Sequence, residues 1–313
     1  MGESRAGESH VLRRRHAVLL GALLLAGCGT QRAQVDPHTD GSGASAAPTG
    51  TPSSSPAPPA SATTRTRPTA TPGRTPVGEM AVPTRRELIE EFDGARPTAF
   101  GLDVPGVVGA CRDGAVALTF DACGGPGKGS AVDHDLLATL RRLAVPATLF
   151  LNTRWIEANR GFAHELADDP LFELANHGHR HRPLTVRERT AYGIHGTRDV
   201  GEVVDEIEAA TPWFLERTGA RPRWFRPGTA HVDTVAATIA RRLGQPVAGF
   251  SVNADSGATA SRGAIVRAMA GVKPGDVVIG HFNRPDGATS EGMSRALPRL
   301  IDRGVRFTHL TIS

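Results

Sequence analysis

The chain has 313 residues, which is enough for one large domain or two small ones. Its 36 Lys and Arg residues against 32 Asp and Glu residues leave a formal net charge of only +4. Both signs of charge are mixed along the C-terminal two thirds, and no basic stripe is interleaved with aromatic residues. The composition therefore argues against a nucleic-acid partner.

The first 27 residues have the pattern of a secretion signal. Residues 13–16 carry positive charge, and residues 17–25 form an apolar run about half the ~20 residues that a membrane-spanning helix needs. The sequence Leu-Ala-Gly-Cys that ends at Cys28 resembles the lipobox of bacterial lipoproteins, in which the cysteine is lipidated. We expect an exported protein anchored through Cys28 to the outer face of the cell membrane. An ordinary signal peptide is the alternative, and both the Sec and the twin-arginine export routes remain open.

The next segment, residues 28–82, is rich in Pro, Ser, Thr, Ala and Gly. Such a composition cannot bury enough apolar surface to offset its ordering entropy, so we predict a disordered tether. Residues 83–110 are predicted to be an N-terminal extension, with a short helix at about 85–92. Residues 111–313 are predicted to form the folded domain.

From residue 115 onward, short apolar runs alternate with amphipathic helical patterns. This order predicts an α/β fold with a parallel sheet, either open or closed into a barrel. Several runs are continuous, as expected for strands that are buried on both faces. The predicted strands are residues 115–120, 147–151, 171–175, 223–225, 247–252, 277–281 and 306–312. The predicted helices are residues 133–143, 203–217, 233–243, 262–270 and 290–303.

Polar side chains follow several of these strands at their carboxyl ends. Parallel α/β folds assemble their active sites at that end of the sheet. Asp255 also suits a turn before Gly257, so its place in a site is one of two interpretations. The candidate site residues are Asp121, His177, His181, Arg226, Asp255 and His281.

The strongest local signal is the pair His177 and His181. Two imidazoles four residues apart lie on one face of a helical turn and can share a metal ion, whereas a solvated histidine-rich loop is the alternative. Asp121 ends a buried strand, where a carboxylate is costly unless it is paired or catalytic. Arg226 is a suitable partner that would hold Asp121 ionised, and His281 is a candidate proton donor.

These residues lie within motifs that resemble the polysaccharide deacetylase domain, also called the NodB-homology domain or carbohydrate esterase family 4. The resemblance runs from about residue 110 to residue 312 and depends on several motifs in the family's order and spacing. It implies a distorted (β/α) barrel, often with seven strands, a divalent metal ion that is commonly zinc, and hydrolysis of acetyl groups on glycans. The motifs are Thr119-Phe120-Asp121, His177-x-x-x-His181, Arg226-Pro227-x-x-Ala230 and Gly280-His281.

The resemblance also implies a role for each matching residue. His177 and His181 would bind the metal ion, Asp121 would be the general base, and Arg226 would tether it. His281 would protonate the departing amine.

Two further roles are implied less directly. Backbone N–H groups near Gly228 would help to hold the oxyanion, and Asp255 would orient the acid. The aromatic residues that the family places after the arginine motif and near Phe250 are missing. The sole tyrosine of the chain, Tyr192, lies in a loop to which the sequence assigns no chemical role.

One departure from the family concerns the third metal ligand, because Ala122 stands where the family has a second aspartate. Asp121 itself could turn toward the metal, or Cys123 could bind as a thiolate, which suits zinc. Alternatively, Cys123 could be bonded to Cys111. We favour the disulfide, since an exported protein folds in an oxidising compartment and the two cysteines bracket the same strand.

The sequence thus predicts a monomeric metal-dependent hydrolase that deacetylates an N-acetylhexosamine polymer. Peptidoglycan or a related cell-envelope glycan is the favoured partner because of the expected location. An O-acetyl esterase acting on acetylated glycans is one alternative. A non-catalytic glycan-binding lipoprotein, which would have lost its metal ion with the change to Ala122, is another.

Overall fold

The computed structural model describes residues 81–111 and 114–311. The predicted signal peptide, the lipidated Cys28 and nearly all of the predicted tether lie outside the described residues. None of the described helices is long and apolar enough to cross a membrane. The described helices are α1 (Arg85–Glu91), α2 (His134–Arg142), α3 (Thr153–Ala158), α4 (Arg160–Asp168), α5 (Val200–Glu208), α6 (Thr211–Thr218), α7 (Thr234–Arg242), α8 (Arg262–Ala270) and α9 (Thr289–Asp302).

All seven predicted apolar runs contribute to the central sheet, and five further described strands of two residues each were not predicted. The described strands are β1 (Phe100–Gly101), β2 (Val107–Val108), β3 (Val116–Ala122), β4 (Ala147–Leu151), β5 (Phe172–Asn176), β6 (Thr190–Ala191), β7 (Ile194–His195), β8 (Val232–Asp233), β9 (Val247–Ala248), β10 (Val252–Asn253), β11 (Val277–His281) and β12 (Phe307–Thr308).

A parallel sheet forms the centre of the fold, with the strand order β10-β11-β3-β4-β5 and with β12 paired to the start of β3. Parallel bridges from Asn176 to Phe225 and from Phe225 to Val247 extend it from β5 to β9. The chain then runs from β9 into β10 at the opposite edge, so the sheet curls into a nearly closed barrel. The predicted α/β fold with a parallel sheet is confirmed.

The bend that closes the barrel divides the predicted strand 247–252 into β9 and β10. Gly249 lies at this bend, and a Cβ atom there would be 2.6 Å from Cγ1 of Val107. Any larger residue would push β2 away, so the close approach of the two segments requires glycine. The predicted strand 223–225 contributes its bridges through Phe225 alone, because prolines at positions 222 and 227 leave few residues able to donate to a ladder.

The helices are close to the predictions, with two differences. The single helix predicted for residues 203–217 is two helices, α5 and α6, because Pro212 begins a new helix in its first turn. The helices α3 and α4 were not predicted. Asn152 caps α3 by accepting a hydrogen bond from the backbone N–H of Arg154.

Strand β3 is buried along its whole length, and its side chains alternate between two environments. Leu118 and Phe120 pack with the helices outside the barrel, together with Ala122. Ala117 belongs to the cluster in the barrel interior. Because side chains in a strand alternate with a period of two, Asp121 shares the inward face with Ala117.

Candidate active site

The candidate site residues meet at the carboxyl end of the barrel. Asp121 is the penultimate residue of β3, and His281, the last residue of β11, is its register partner. His177 directly follows β5, and these three residues line one cavity of about 820 Å³. The predicted convergence of polar side chains at this end of the sheet is present.

Arg226 is buried completely, and every nitrogen of its guanidinium donates a hydrogen bond. Nη1 donates to Oδ1 of Asp121 at 2.7 Å and to Oγ1 of Thr119 at 2.9 Å. Nε and Nη2 donate to the backbone oxygens of Ala248 and Gly249. The guanidinium also lies over the ring of Phe150, 4.1 Å from its centroid. The predicted pairing of Arg226 with Asp121 is therefore present.

Asp121 is held ionised although it is buried. Burial alone would raise the pKa of its carboxyl, but the opposing charges of Arg226 and His177 outweigh burial and lower that pKa. Oδ2 of Asp121 is not used by Arg226 and lies 3.6 Å from Nε2 of His177. One carboxylate oxygen is thus anchored, and the other faces the cavity side of the site.

His177 is oriented to offer one nitrogen to a ligand. Its Nδ1 lies 2.8 Å from the backbone oxygen of Arg226, and since a carbonyl only accepts, Nδ1 carries the proton. Nε2 is buried and has no hydrogen-bond partner among the described residues. Burial opposes a charge on this ring, yet Asp121 and Cys123 raise the pKa of His177 above its ordinary value. The surroundings of Nε2 of His177 therefore favour a positive charge.

Three side chains could hold a metal ion at this place. The ligand atoms of Cys123, His177 and His181 all lie within 4.8 Å of one another. Burial opposes ionisation of Cys123, but the neighbouring imidazoles lower the pKa of its thiol well below the ordinary value. A thiolate with two imidazoles is a donor set that suits zinc.

The predicted disulfide between Cys111 and Cys123 is wrong, because the structure does not join them. Cys111 precedes β3 and Cys123 follows it. A strand rises about 3.3 Å per residue, so the seven residues of β3 hold the two cysteines roughly 20 Å apart. A disulfide requires Cα atoms closer than about 7 Å. Cysteines that bracket a buried strand in sequence therefore lie at opposite ends of the barrel.

His281, on the strand beside β3, forms a second pair with Asp255. Its Nδ1 lies 3.0 Å from Oδ1 of Asp255, and its backbone N–H donates to Oδ2 at 2.7 Å. Oγ1 of Thr289 also donates to Oδ2, and Asp255 is fully buried. Burial opposes charge on His281, but Asp255 and Cys123 raise the pKa of the imidazole well above its ordinary value. Asp255 therefore orients the imidazole of His281. This agrees with its interpretation as a site residue and not only as a turn residue before Gly257.

The loop after the arginine contacts the second histidine of the pair. A Cβ atom on Gly228 would lie 2.2 Å from the carbonyl carbon of His181, so only glycine fits there. Thr229 and Ala230 both have positive φ angles and line the cavity. Oγ1 of Thr229 is buried without a hydrogen-bond partner among the described residues. The loop that was predicted to hold an oxyanion therefore does border the site.

Comparison with known proteins identifies the domain. Residues 109–248 match the family model of polysaccharide deacetylases. This part of the chain is a polysaccharide deacetylase domain. The family and the enzyme class predicted from the motifs are confirmed, and the barrel continues beyond the match through β11, which contributes His281. No curated protein matches the chain significantly.

Several solved structures share the fold of the deacetylase domain. A CE4 family pseudoenzyme from Bacillus anthracis is 21% identical, with a TM-score of 0.55, over 66% of this chain and 68% of that one. A peptidoglycan N-acetylglucosamine deacetylase is 22% identical, with a TM-score of 0.52, over 63% and 86%. A family 4 carbohydrate esterase from Streptomyces lividans is 23% identical, with a TM-score of 0.51, over 64% and 94%.

Sequence reasoning missed Glu206, which holds the loop that carries His177 and His181 in the deacetylase domain. Its buried carboxylate accepts hydrogen bonds from the backbone N–H groups of His179, Arg180 and Arg182. A signal was present, because Glu206 lies three residues after Val203 on the buried face of α5. An acidic residue on an apolar helix face needs a partner, and the loop between the two histidines provides it.

Two asparagines fix the same loop from the side of the sheet. The side-chain amide of Asn152 donates to the backbone oxygens of His177 and Gly178. The amide of Asn176 donates to the oxygen of Ile207, and its Oδ1 accepts from the N–H of Gly178. Buried side chains therefore hold the loop between β5 and His181 on both sides, with the two asparagines on the side of the sheet and Glu206 on the side of α5.

Proposed function

We propose that this chain is a metal-dependent deacetylase of an N-acetylhexosamine polymer. One observation carries the proposal: Asp121 and His281, each bonded to a buried partner, stand on two neighbouring strands beside three side chains that could hold a metal ion. Asp121, tethered by Arg226, is the base. His281, tethered by Asp255, is the acid. Titratable groups whose environments drive their pKa values in opposite directions are characteristic of acid–base catalysis.

The residues Cys123, His177 and His181 fit a zinc ion, and we propose that they are its ligands. The buried, unpartnered Nε2 of His177 supports this assignment, because such a nitrogen is costly unless something binds it. Three protein ligands leave one position open, as in catalytic zinc sites. When bound there, zinc would polarise the acetyl carbonyl and lower the pKa of a water molecule.

The protein's own groups move the protons in this proposal. Oδ2 of Asp121 accepts a proton from the attacking water, while Oδ1 stays bonded to Arg226. His281 then gives its proton to the departing nitrogen, and Asp255 stabilises the positive imidazole until it does so. The backbone around Gly228 and the free hydroxyl of Thr229 lie beside the place where negative charge develops on oxygen.

A strongly oriented acid favours amide hydrolysis over ester hydrolysis. An amine leaves only after it is protonated, whereas an alkoxide needs less help. Asp255 orients His281, and it is buried and accepts three hydrogen bonds. This arrangement supports N-deacetylation over the O-acetyl esterase alternative. Peptidoglycan is the proposed substrate, on the basis of the expected export and lipid anchor at Cys28. The fold shared with a peptidoglycan N-acetylglucosamine deacetylase supports the same choice.

A binding protein is the second candidate, because the chain also shares its fold with a pseudoenzyme. Acetate release separates the two. The purified full-length chain is incubated with peptidoglycan and with N-acetylglucosamine oligomers, before and after chelation, and then with zinc restored. Release that chelation abolishes and zinc restores is the expected result. Binding without release in any metal-loaded form would favour the binding protein.

The thiolate ligand has its own test, which does not require activity. Cobalt(II) substituted for zinc is expected to give a thiolate-to-metal charge-transfer band in the near ultraviolet. The band should be absent from Cys123→Ser and present in Cys111→Ser, the matched control at the other end of β3. A band of unchanged intensity in Cys123→Ser would remove Cys123 from the ligand set.

A further inference from the structure

Tyr192 stands out at the rim of the active-site cavity. It is 77% exposed, and no other aromatic residue is exposed to this degree among residues 81–111 and 114–311. It also lines the same cavity as Cys123, His177 and His281. Leu102, another exposed apolar residue, borders that cavity as well. Exposed apolar surface beside a catalytic cavity is characteristic of a binding surface.

The backbone at Tyr192 is unfavourable for so large a side chain. Tyr192 and Gly193 form the two-residue turn between β6 and β7, and their φ angles are 51° and 77°. Such turns prefer Asn, Asp or Gly at the first of these positions, because a bulky side chain disfavours positive φ. The stability of the hairpin therefore does not explain an exposed tyrosine at this position.

The ring is also held in place. It contacts the ring of His231 edge to face, with centroids 5.1 Å apart and an interplanar angle of 90°. Nδ1 of His231 lies 2.8 Å from the backbone oxygen of Thr229. Gly228, next in the same loop, packs against the backbone of His181. Contacts between neighbouring residues thus fix the tyrosine relative to the proposed metal ligands.

We propose that Tyr192 is a stacking platform for a sugar ring next to the residue that loses its acetyl group. The inference rests on the proposed function, since it concerns the same cavity. A pyranose ring presents an apolar C–H face, which packs on an aromatic ring, and the exposed part of Tyr192 is available for this contact. The substrate class is therefore a glycan of at least two sugars, not a small acetylated compound.

Binding to the metal-free full-length chain tests this without requiring catalysis. The probes are the β-1,4-linked tetramer of N-acetylglucosamine and the single sugar, titrated by calorimetry. Tyr192→Ala is expected to weaken tetramer binding by about tenfold, the factor that one aromatic contact typically provides. Binding of the single sugar should be unchanged. Tyr192→Trp should bind the tetramer within about twofold of the parent, because it keeps an aromatic face.

Two variants separate stacking from hairpin structure. Tyr192→Asn suits the turn better and should raise thermal stability, yet it should bind the tetramer as weakly as Tyr192→Ala. Ile194→Ala changes an exposed residue of the same hairpin outside the cavity lining and should bind the tetramer like the parent.

The inference is overturned if Tyr192→Ala or Tyr192→Asn binds the tetramer as tightly as the parent. Equal losses for the tetramer and the single sugar would overturn the assignment to a neighbouring sugar. Tetramer binding that depends on Tyr192, in a protein that releases no acetate with zinc bound, would uphold the inference and reject the proposed deacetylase.

Discussion

Arg226 donates to Oδ1 of Asp121 at 2.7 Å inside the barrel, and neither side chain is appreciably exposed to water. Removing the positive partner would leave the carboxylate buried and unpaired. We expect Arg226→Met to lower the free energy of unfolding by about 3–5 kcal/mol, measured by denaturant titration. Arg262→Met is the control, since Arg262 pairs with Glu291 at the surface, where the two side chains are 48% and 61% exposed. Its expected cost is about 0–1 kcal/mol. Equal losses in the two variants would contradict the prediction.

The proposed role of Asp121, as base and not as metal ligand, predicts that activity and metal content can be separated. Asp121→Asn keeps an oxygen for Arg226 but cannot accept a proton from water. The rate of acetate release should fall by about 10²–10⁴-fold. Zinc content, measured by atomic absorption after dialysis, should stay equal to that of the parent. Loss of zinc in this variant would instead make Asp121 the third ligand.

The pH dependence of kcat/KM should be broad and controlled by the two tethered groups. Asp121 must be ionised, and its lowered pKa keeps it so until the pH falls below the ordinary carboxylate range. His281 must be protonated, and its raised pKa keeps it so until the pH rises above the ordinary imidazole range. Activity should therefore be lost only outside these two limits.

Asp255→Asn tests the alkaline limit. Burial by itself lowers the pKa of His281, and Asp255 is a main cause of the increase. Without that negative charge the imidazole should lose its proton at lower pH, so the alkaline fall in kcat/KM should move toward acid. The acidic limit, which belongs to Asp121, should remain where it is. An unchanged alkaline limit would exclude His281 as the group that titrates there.

Glu206 offers a test of how the metal site is supported. Its carboxylate positions the loop that carries His177 and His181 through three backbone N–H groups, two of them between the histidines, so Glu206→Ala should weaken zinc binding by about 10–100-fold. Zinc affinity can be measured by competition with a chelating dye. Asp205→Ala in the same helix removes an exposed ion pair with Arg85 and should leave zinc affinity unchanged. The same affinity in both variants would show that the loop holds its shape without Glu206.

The rim of the site was predictable because strand periodicity determines it. A continuous apolar run that ends in Asp121 or His281 places that residue at the carboxyl end of a buried strand. Two residues that distant segments bring to the site were not predicted. Glu206 meets the histidine loop only when α5 packs beside β5, and Tyr192 meets the cavity only through its hairpin.

Short elements were the other source of difference between the predicted and the observed fold. Helix α3 has only six residues, too few turns for a clear apolar stripe, and it begins at an asparagine cap that resembles a loop signal. Helix α4 buries only Ala163 and Leu166, so its apolar stripe is narrow. The disulfide prediction failed for a geometric reason, because two residues that are close in sequence lie far apart in space when a buried strand separates them. Cys123 remained available to the site as a result.

The carbonyl groups of Ala248 and Gly249 receive hydrogen bonds from Arg226 at the bend where the barrel closes. Closing the sheet and fixing the base in place are therefore one event in folding. In a partly folded chain, Arg226 would have no fixed place, and Asp121 would lack the neighbour that orients it. A newly made chain would thus have no assembled site until its last strands were in position.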